Sequence, residues 1–345
     1  MSDFRIDQIT NQAGTAGPDI AGITTFSGSS GLLMPSGPTE YRGGRGRGVF
    51  GGGSAPGLIN VIDYITIATL GNAVDFGDLT QARRGVFACS SSVRGIFAGG
   101  LAVDTIDYVT ISATGNAFDF GDLTANRFGA GATSNSVRGI FAGGYQPTGS
   151  IFLQSIDFIT IASLGNASSF GDLLDKNSGS VGVASPIRAV FLGGVKQESA
   201  TGVFNTIEYV TISTLGNTQD FGDLIQARGF GGAFSNSVRG VLGGGDTETP
   251  ATNNETNTID YITIASLGNA IDFGDLTLIR QRLSGCCNST RGVFGGGFAS
   301  PGNVSSNVID YVTISSTGNA SDFGDLTQAR SEFNACSDAH GGLGD

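Results

Sequence analysis

The chain has 345 residues, with 18 Lys plus Arg against 30 Asp plus Glu, a formal charge of −12. Its 57 Gly argue against an all-helical fold, because Gly in a helix costs about 1 kcal/mol relative to Ala, and 39% apolar residues with 23 Phe argue against disorder. With 8 Pro and no three-residue Gly period the chain is not collagen, and its acidic balance suits no nucleic acid, whose phosphates need a Lys/Arg surface.

Residues 1–45 come first and stand apart. Short alternating runs, Phe4-Arg5-Ile6-Asp7 and Ile23-Thr24-Thr25-Phe26, sit between Gly, Ser and Pro, with too little apolar mass to fold alone. The start of the chain lacks the apolar core of a signal peptide, and no stretch of ~18 apolar residues is present, so synthesis in a reducing cytoplasm without membrane insertion is expected. The four Cys have the spacing of neither a disulfide framework nor a zinc site.

From residue 46 onward the chain repeats. Arg47-Gly-Val-Phe-Gly-Gly-Gly returns at Arg94, Arg138, Arg188, Arg239 and Arg291. Each copy is followed by a version of Val61-Ile-Asp-Tyr-Ile-Thr-Ile and then of Asn72-Ala-Val-Asp-Phe-Gly-Asp-Leu. The central Phe falls at 76, 120, 170, 221, 273 and 323, a period of 44 to 52 residues. Each unit divides into four short strands: a small-residue run after an Arg, the run ending in a Gly pair, a β-branched and aromatic run, and, past a Gly-Asn turn, the Asp-Phe-Gly-Asp run. Six such units predict an all-β, six-bladed β-propeller over 46–345, with a parallel β-helix as the alternative. The chain enters at the second strand of the first unit, while Arg330–Ser337 matches the first-strand segment beginning at Arg83. The C-terminal strand is therefore expected to close the first blade.

These units resemble kelch repeats. The residues that carry the likeness are the doublets from Gly52-Gly53 to Gly296-Gly297 and the third-strand aromatics Tyr64, Tyr108, Phe158, Tyr209, Tyr261 and Tyr311. The blade-opening Arg83, Arg127, Arg228, Arg280 and Arg330 complete it. Phe76 and its five equivalents stand where kelch blades carry Trp, and the fourth unit has Lys176-Asn177 in place of the Arg.

The arm is similar to the N-terminal stretches of structural proteins from tailed bacteriophages, cyanophages among them. The matching residues are Ile9-Thr10-Asn11, Gly14-Thr15, Gly22-Ile23-Thr24, Ser27-Gly28 and Met34-Pro35-Ser36-Gly37-Pro38-Thr39. The resemblance implies a virion protein, a tail-fibre or appendage component present in multiple copies. Its arm would join other virion proteins through Phe4, Ile6, Ile9, Ile23 and Phe26, by strand addition or wrapping. Recognition of a further virion protein, or of a host-surface glycan or protein, falls to the loops that differ most between units. Their candidate contacts are Tyr145, Gln146, Lys196, Gln197, Thr247, Glu248, Asn253 and Asn254. A cellular kelch-like interaction module and a carbohydrate-active enzyme are the alternatives.

Catalytic chemistry is poorly supplied. The single His, His340, cannot assemble a His-based metal centre, and the five Asp-Phe-Gly triplets lack the other parts of a kinase site. Acids recur on the third strand (Asp63, Asp107, Asp157, Glu208, Asp260, Asp310) and at both sides of the central Phe. Acids of the Asp78 type are expected to cap turns or to pair with the Arg83-type residues, so no cofactor is required; oxygen-ligated Ca²⁺ at the repeated carboxylates is the sharper alternative. Cys89, Cys286 and Cys336 occupy equivalent first-strand places and are expected to be reduced and to line the inner wall.

Overall fold

A computed structural model describes residues 46–196, 202–247 and 254–344, together with a two-stranded ribbon of Phe26–Ser27 against Gly31–Leu32. The chain divides into two compact units, Met1–Gly43 and Gly44–Asp345. The second unit is built from six four-stranded antiparallel sheets.

Sheet 2 shows the pattern: Phe87–Ser90, Arg94–Ala98, Thr105–Thr110 and Phe118–Asp122, each strand paired with the next. Sheets 3, 4 and 5 begin at Gly131–Ser134, Val181–Ala184 and Gly232–Ser235, and sheet 6 at Ser284–Cys287. Sheet 1 is assembled from both ends of the unit. Asn334–Ser337 supplies its first strand, pairing with Arg47–Gly51, which is followed by Val61–Thr66 and Val74–Asp78. The expected pairing of the C-terminal strand is thus present.

Each sheet packs for the same local reasons. On the third strand Ile62, Asp63 and Ile65 are all buried, so both faces are covered, whereas on the fourth only Phe76 is. A register shift at Ile62/Asp63 leaves Phe76 between the pairs Asp63–Asp75 and Ile62–Gly77, the geometry of a bulge. Phe76 meets Tyr64 edge-on at 6.0 Å, and the guanidinium of Arg47 lies 4.4 Å from the other partner of that column, the Tyr64 ring. All six sheets repeat this stack.

The apolar core lies between sheets rather than within them. One cluster joins Val49, Ile62 and Phe76 of sheet 1 to Phe97 and Val109 of sheet 2, and another joins Phe50 and Ile65 of sheet 1 to Val293 and Phe323 of sheet 6. Four further clusters join sheets 2 with 3, 3 with 4, 4 with 5 and 5 with 6.

Hydrogen bonds follow the same order and return to their start. Arg47 donates through Nη1 to the Ile111 carbonyl of sheet 2, Arg94 to Ile161, Arg138 to Ile212, Arg188 to Ile264, Arg239 to Ile314, and Arg291 back to Ile67 of sheet 1. A second series runs from the Asp78 N–H to the Asn116 side chain and on, sheet by sheet, to the Asp325 N–H and Asn72. These joints are close. A Cβ on Gly77 would lie 2.5 Å from the Gly115 backbone, so the Gly of the Asp-Phe-Gly triplet is set by contact with the next sheet.

Candidate recognition surface

At one end of the sheets emerge the second-to-third connections and the segments that lead into each first strand. Here the six repeats differ. Tyr145–Gln146 pairs with Ile151–Phe152 as a projecting ribbon, with the Tyr145 and Phe152 rings edge-on at 5.6 Å and Gln146 donating to Asn126 at 2.9 Å. Lys196 is ion-paired with Asp175 and lies 4.8 Å from the Phe204 ring, while Thr247 closes its loop on the Asn254 carbonyl. Tyr145, Gln146, Lys196, Thr247 and Asn254 therefore stand on connections of three sheets at one end. Gln197, Glu248 and Asn253, like Phe4, Ile6, Ile9 and Ile23, lie outside the described residues, and Phe26 is described only as part of its ribbon.

Closer to the first strands the backbone forms a continuous cycle. Gly85 N–H donates to the Glu332 carbonyl, Glu332 to Arg282, Arg282 to Phe230, Phe230 to Gly179, Gly179 to Gly129, and Gly129 back to Gly85, at 2.6–3.2 Å. All six residues have positive φ, between 53° and 70°. Three are Gly. The other three, Phe230, Arg282 and Glu332, hold a left-handed conformation that disfavours side chains by roughly 1–2 kcal/mol each.

Those three side chains interlock. Arg282 lies 4.5 Å from the Phe230 ring and is ion-paired with Glu332, which also receives Arg84 at 3.3 Å. With Phe128 and Phe333 they line a cavity of about 60 Å³. None of these residues was singled out in the sequence. The available signal was the aligned position two after each blade-opening residue, which reads Gly, Gly, Gly, Phe, Arg, Glu.

A second cavity, of about 70 Å³, runs between the first strands. Its wall is hydroxyl-rich. Ser134 donates to the Ser90 carbonyl, Ser90 to Ser337, Ser337 to Cys287, Cys287 to Ser235 and Ser235 to Ala184, at 2.6–3.0 Å. At its far end sits the C-terminal turn Gly341–Leu343. His340 Nε2 lies 2.8 Å from the Ser90 carbonyl and must carry a proton to bond it, which leaves Nδ1 to accept the Gly342 N–H at 3.2 Å. Burial holds this imidazole below its ordinary value.

The acids, but not the cysteines, depart from the sequence reading. All four Cys are buried thiols. Cys89, Cys286 and Cys336 are among the residues lining the cavity between the first strands, as expected, with their sulfurs packed against Gly139, Gly48 and Gly95 of the neighbouring sheets. Burial drives the Cys336 thiol up to about 12. The buried arginines pair not with Asp78-type acids but with the third strand: Arg83–Asp107 at 3.0 Å, Arg127–Asp157 at 3.1 Å, Arg228–Asp260 at 3.1 Å, Arg280–Asp310 at 2.8 Å and Arg330–Asp63 at 3.0 Å. In four sheets the same carboxylate also accepts a Thr hydroxyl from the preceding one, as Asp107 does from Thr80. Glu208 accepts the Leu174 N–H and the hydroxyl of Thr218, and Asp260 has Ile225 where the others have the preceding sheet's Thr; burial raises both above the usual carboxylate range. Among the described residues no three His, Cys, Asp or Glu side chains converge as a metal site requires, and no helix is long and apolar enough to cross a membrane.

No protein-family model matches the chain, and no curated protein is significantly similar to it.

Proposed function

We propose that the six sheets are the blades of a kelch-like β-propeller closed by the C-terminal strand, and that the protein is a virion structural component of a tailed phage, placed on a tail fibre or appendage. The closed order of the inter-sheet hydrogen bonds supports the first part. The second rests on the arm, whose residues 1–45 would dock to the particle.

The observation that carries the recognition role is the confinement of variation to one end. The opposite turns keep one length in every sheet that has them, and the inter-sheet joints repeat from sheet to sheet. The connections bearing Tyr145, Lys196 and Thr247, and the Phe230–Arg282–Glu332 lip, do not. A rigid scaffold with unlike loops at one end is suited to holding a partner, here a second virion protein or a molecule of the host surface.

Mass spectrometry of purified virions tests the assignment directly: the chain should be present, and a version beginning at Gly46 should fold yet be missing from particles. A chain absent from virions defeats the reading. Competition of host adsorption by added protein, weakened by changing Tyr145, Lys196 and Thr247 together, separates host recognition from a purely internal contact.

A further inference from the structure

The second-to-third connection of sheet 5, residues 246–257, contains three acids and no Lys or Arg. Two of the acids, Asp246 and Glu255, lie directly opposite each other across a single antiparallel bridge. Its flanking bonds run from the Thr247 N–H to the Asn254 carbonyl at 2.9 Å and from the Thr256 N–H to the Gly245 carbonyl at 3.0 Å. That pattern makes Asp246 and Glu255 a non-hydrogen-bonded pair, the kind whose side chains approach most closely on one face. Two carboxylates so placed repel each other.

Gln281, in the segment that opens sheet 6, reaches this pair. It is 7% exposed, and its Nε2 donates to Glu255 Oε1 at 3.2 Å. A carboxylate only accepts, so Gln281 must turn its NH2 group toward Glu255. Gln281 Oε1 and Glu255 Oε2 are then left buried, with no donor among the described residues. The arginines nearby in sequence are engaged elsewhere: Arg228 with Asp260, Arg280 with Asp310 and Arg282 with Glu332. Buried acceptors without a donor are rare in folded chains, and here two of them stand on touching side chains beside a second carboxylate.

We propose that Glu255, Gln281 and Asp246 hold a calcium ion, which fastens the sheet 5 connection to the segment opening sheet 6. The set is two carboxylates and one amide, all hard oxygens, drawn from three separate stretches of chain. Calcium accepts such an irregular set, with water completing its roughly 6–8 ligands, whereas magnesium demands a near-ideal octahedron. A bridging water would satisfy the two orphan oxygens but leave the opposed charges in place. The site belongs to one sheet only, since the places aligned with Asp246 carry Ser54, Leu101, Tyr145, Val195 and Phe298. Thr247 and Asn254 adjoin the two acids, so the ion shapes a loop of the recognition surface, whatever that loop binds.

Calorimetric titration and thermal unfolding of the full chain, stripped of metal by a chelator and kept at physiological salt, form the test. One Ca²⁺ per chain is expected, with a Kd of about 10⁻⁴–10⁻³ M, together with a higher melting temperature. Mg²⁺ at the same concentration should do much less. Glu255→Gln keeps the bond from Gln281 but removes a charge. It should abolish binding and, without metal, melt above the wild-type chain because the repulsion is gone. Gln281→Ala should weaken binding severalfold, while Asp75→Asn on an outer strand should bind as the wild type does. Failure to take up calcium at millimolar concentrations overturns the proposal. So does uptake that survives Glu255→Gln, that Mg²⁺ matches, or that Asp75→Asn removes equally, since the ion is then drawn diffusely by the charge of −12 or held elsewhere.

Discussion

Arg330 Nη2 lies 3.0 Å from Asp63 Oδ2, a fully buried pair that ties residues 267 positions apart into one sheet. The same guanidinium donates to the Val61 and Gly52 carbonyls, so it anchors the second and third strands to the approach of the C-terminal one. Arg330→Met leaves the Asp63 carboxylate buried with only Thr327 as partner, and such an orphan costs about 3–5 kcal/mol. Urea unfolding should show a correspondingly lower midpoint, while Arg84→Met, at a half-exposed position, should change it by less than about 1 kcal/mol.

Removal of residues 330–345 strips sheet 1 of its first strand and bares the Arg47–Gly51 edge. The truncated protein is expected to lose cooperative unfolding and to aggregate, as an unprotected edge strand invites. A soluble truncation product with an unaltered thermal transition would contradict the pairing.

His340 gives stability a sign with pH. Its folded value is lowered below the 6.5 of a free imidazole, so the unfolded chain takes up the proton first. Its contribution is fully present above pH 6.5 and is lost as pH falls from there toward the lowered folded value. Protonation at Nδ1 also removes the acceptor of the Gly342 N–H. His340→Gln should flatten the pH dependence of the melting temperature within that window. An identical slope in the variant would exclude this role. Glu208 and Asp260, raised by burial, act in the opposite sense at lower pH and are common to both proteins.

Gly77 and Gly71 share nearly the same backbone angle, φ 146° and 145°, but only Gly77 has a neighbour in the path of a Cβ, the Gly115 carbonyl at 2.5 Å. Gly71→Ala therefore measures backbone strain alone. Gly77→Ala adds a collision with backbone that cannot step aside, and should cost at least about 1–3 kcal/mol more. Equal losses in calorimetry would mean that the sheets separate readily.

Cys89, Cys286 and Cys336 should resist alkylation in the native protein, since burial raises each thiol and the thiolate is the reactive form. Labelling is expected to track global unfolding. Rapid native labelling would place the sulfurs on an open wall.

Much of this architecture was legible in the sequence because it is written six times. Strand runs, Gly turns and the split sheet 1 follow from the repeat and its two ends. Partner choice did not follow. The bulge at Ile62/Asp63 changes which fourth-strand residue lies opposite the third, so the acid nearest the buried Arg could not be counted off from spacing. The glycines that receive the cysteine sulfurs were hidden for a related reason, as strand alternation fixes a face only once the register with the neighbouring sheet is known. The Phe230–Arg282–Glu332 lip escaped because a repeat-based reading averages over positions where the copies disagree.

The backbone cycle through Gly85, Glu332, Arg282, Phe230, Gly179 and Gly129 has no first or last member. A helix ends in bare donors at one terminus and bare acceptors at the other, and its aligned peptides add up to a field that draws ions. A closed circuit of six residues leaves no such end. Each of the six N–H groups is already spent on the next residue's carbonyl. These six residues therefore offer an arriving molecule no free backbone donor. Whatever is held at that opening must be read by side chains, and the three left-handed positions that are not Gly furnish the charged ones from one half of the circle, with the Phe128 ring facing them from the other. A guest would lean to the charged side.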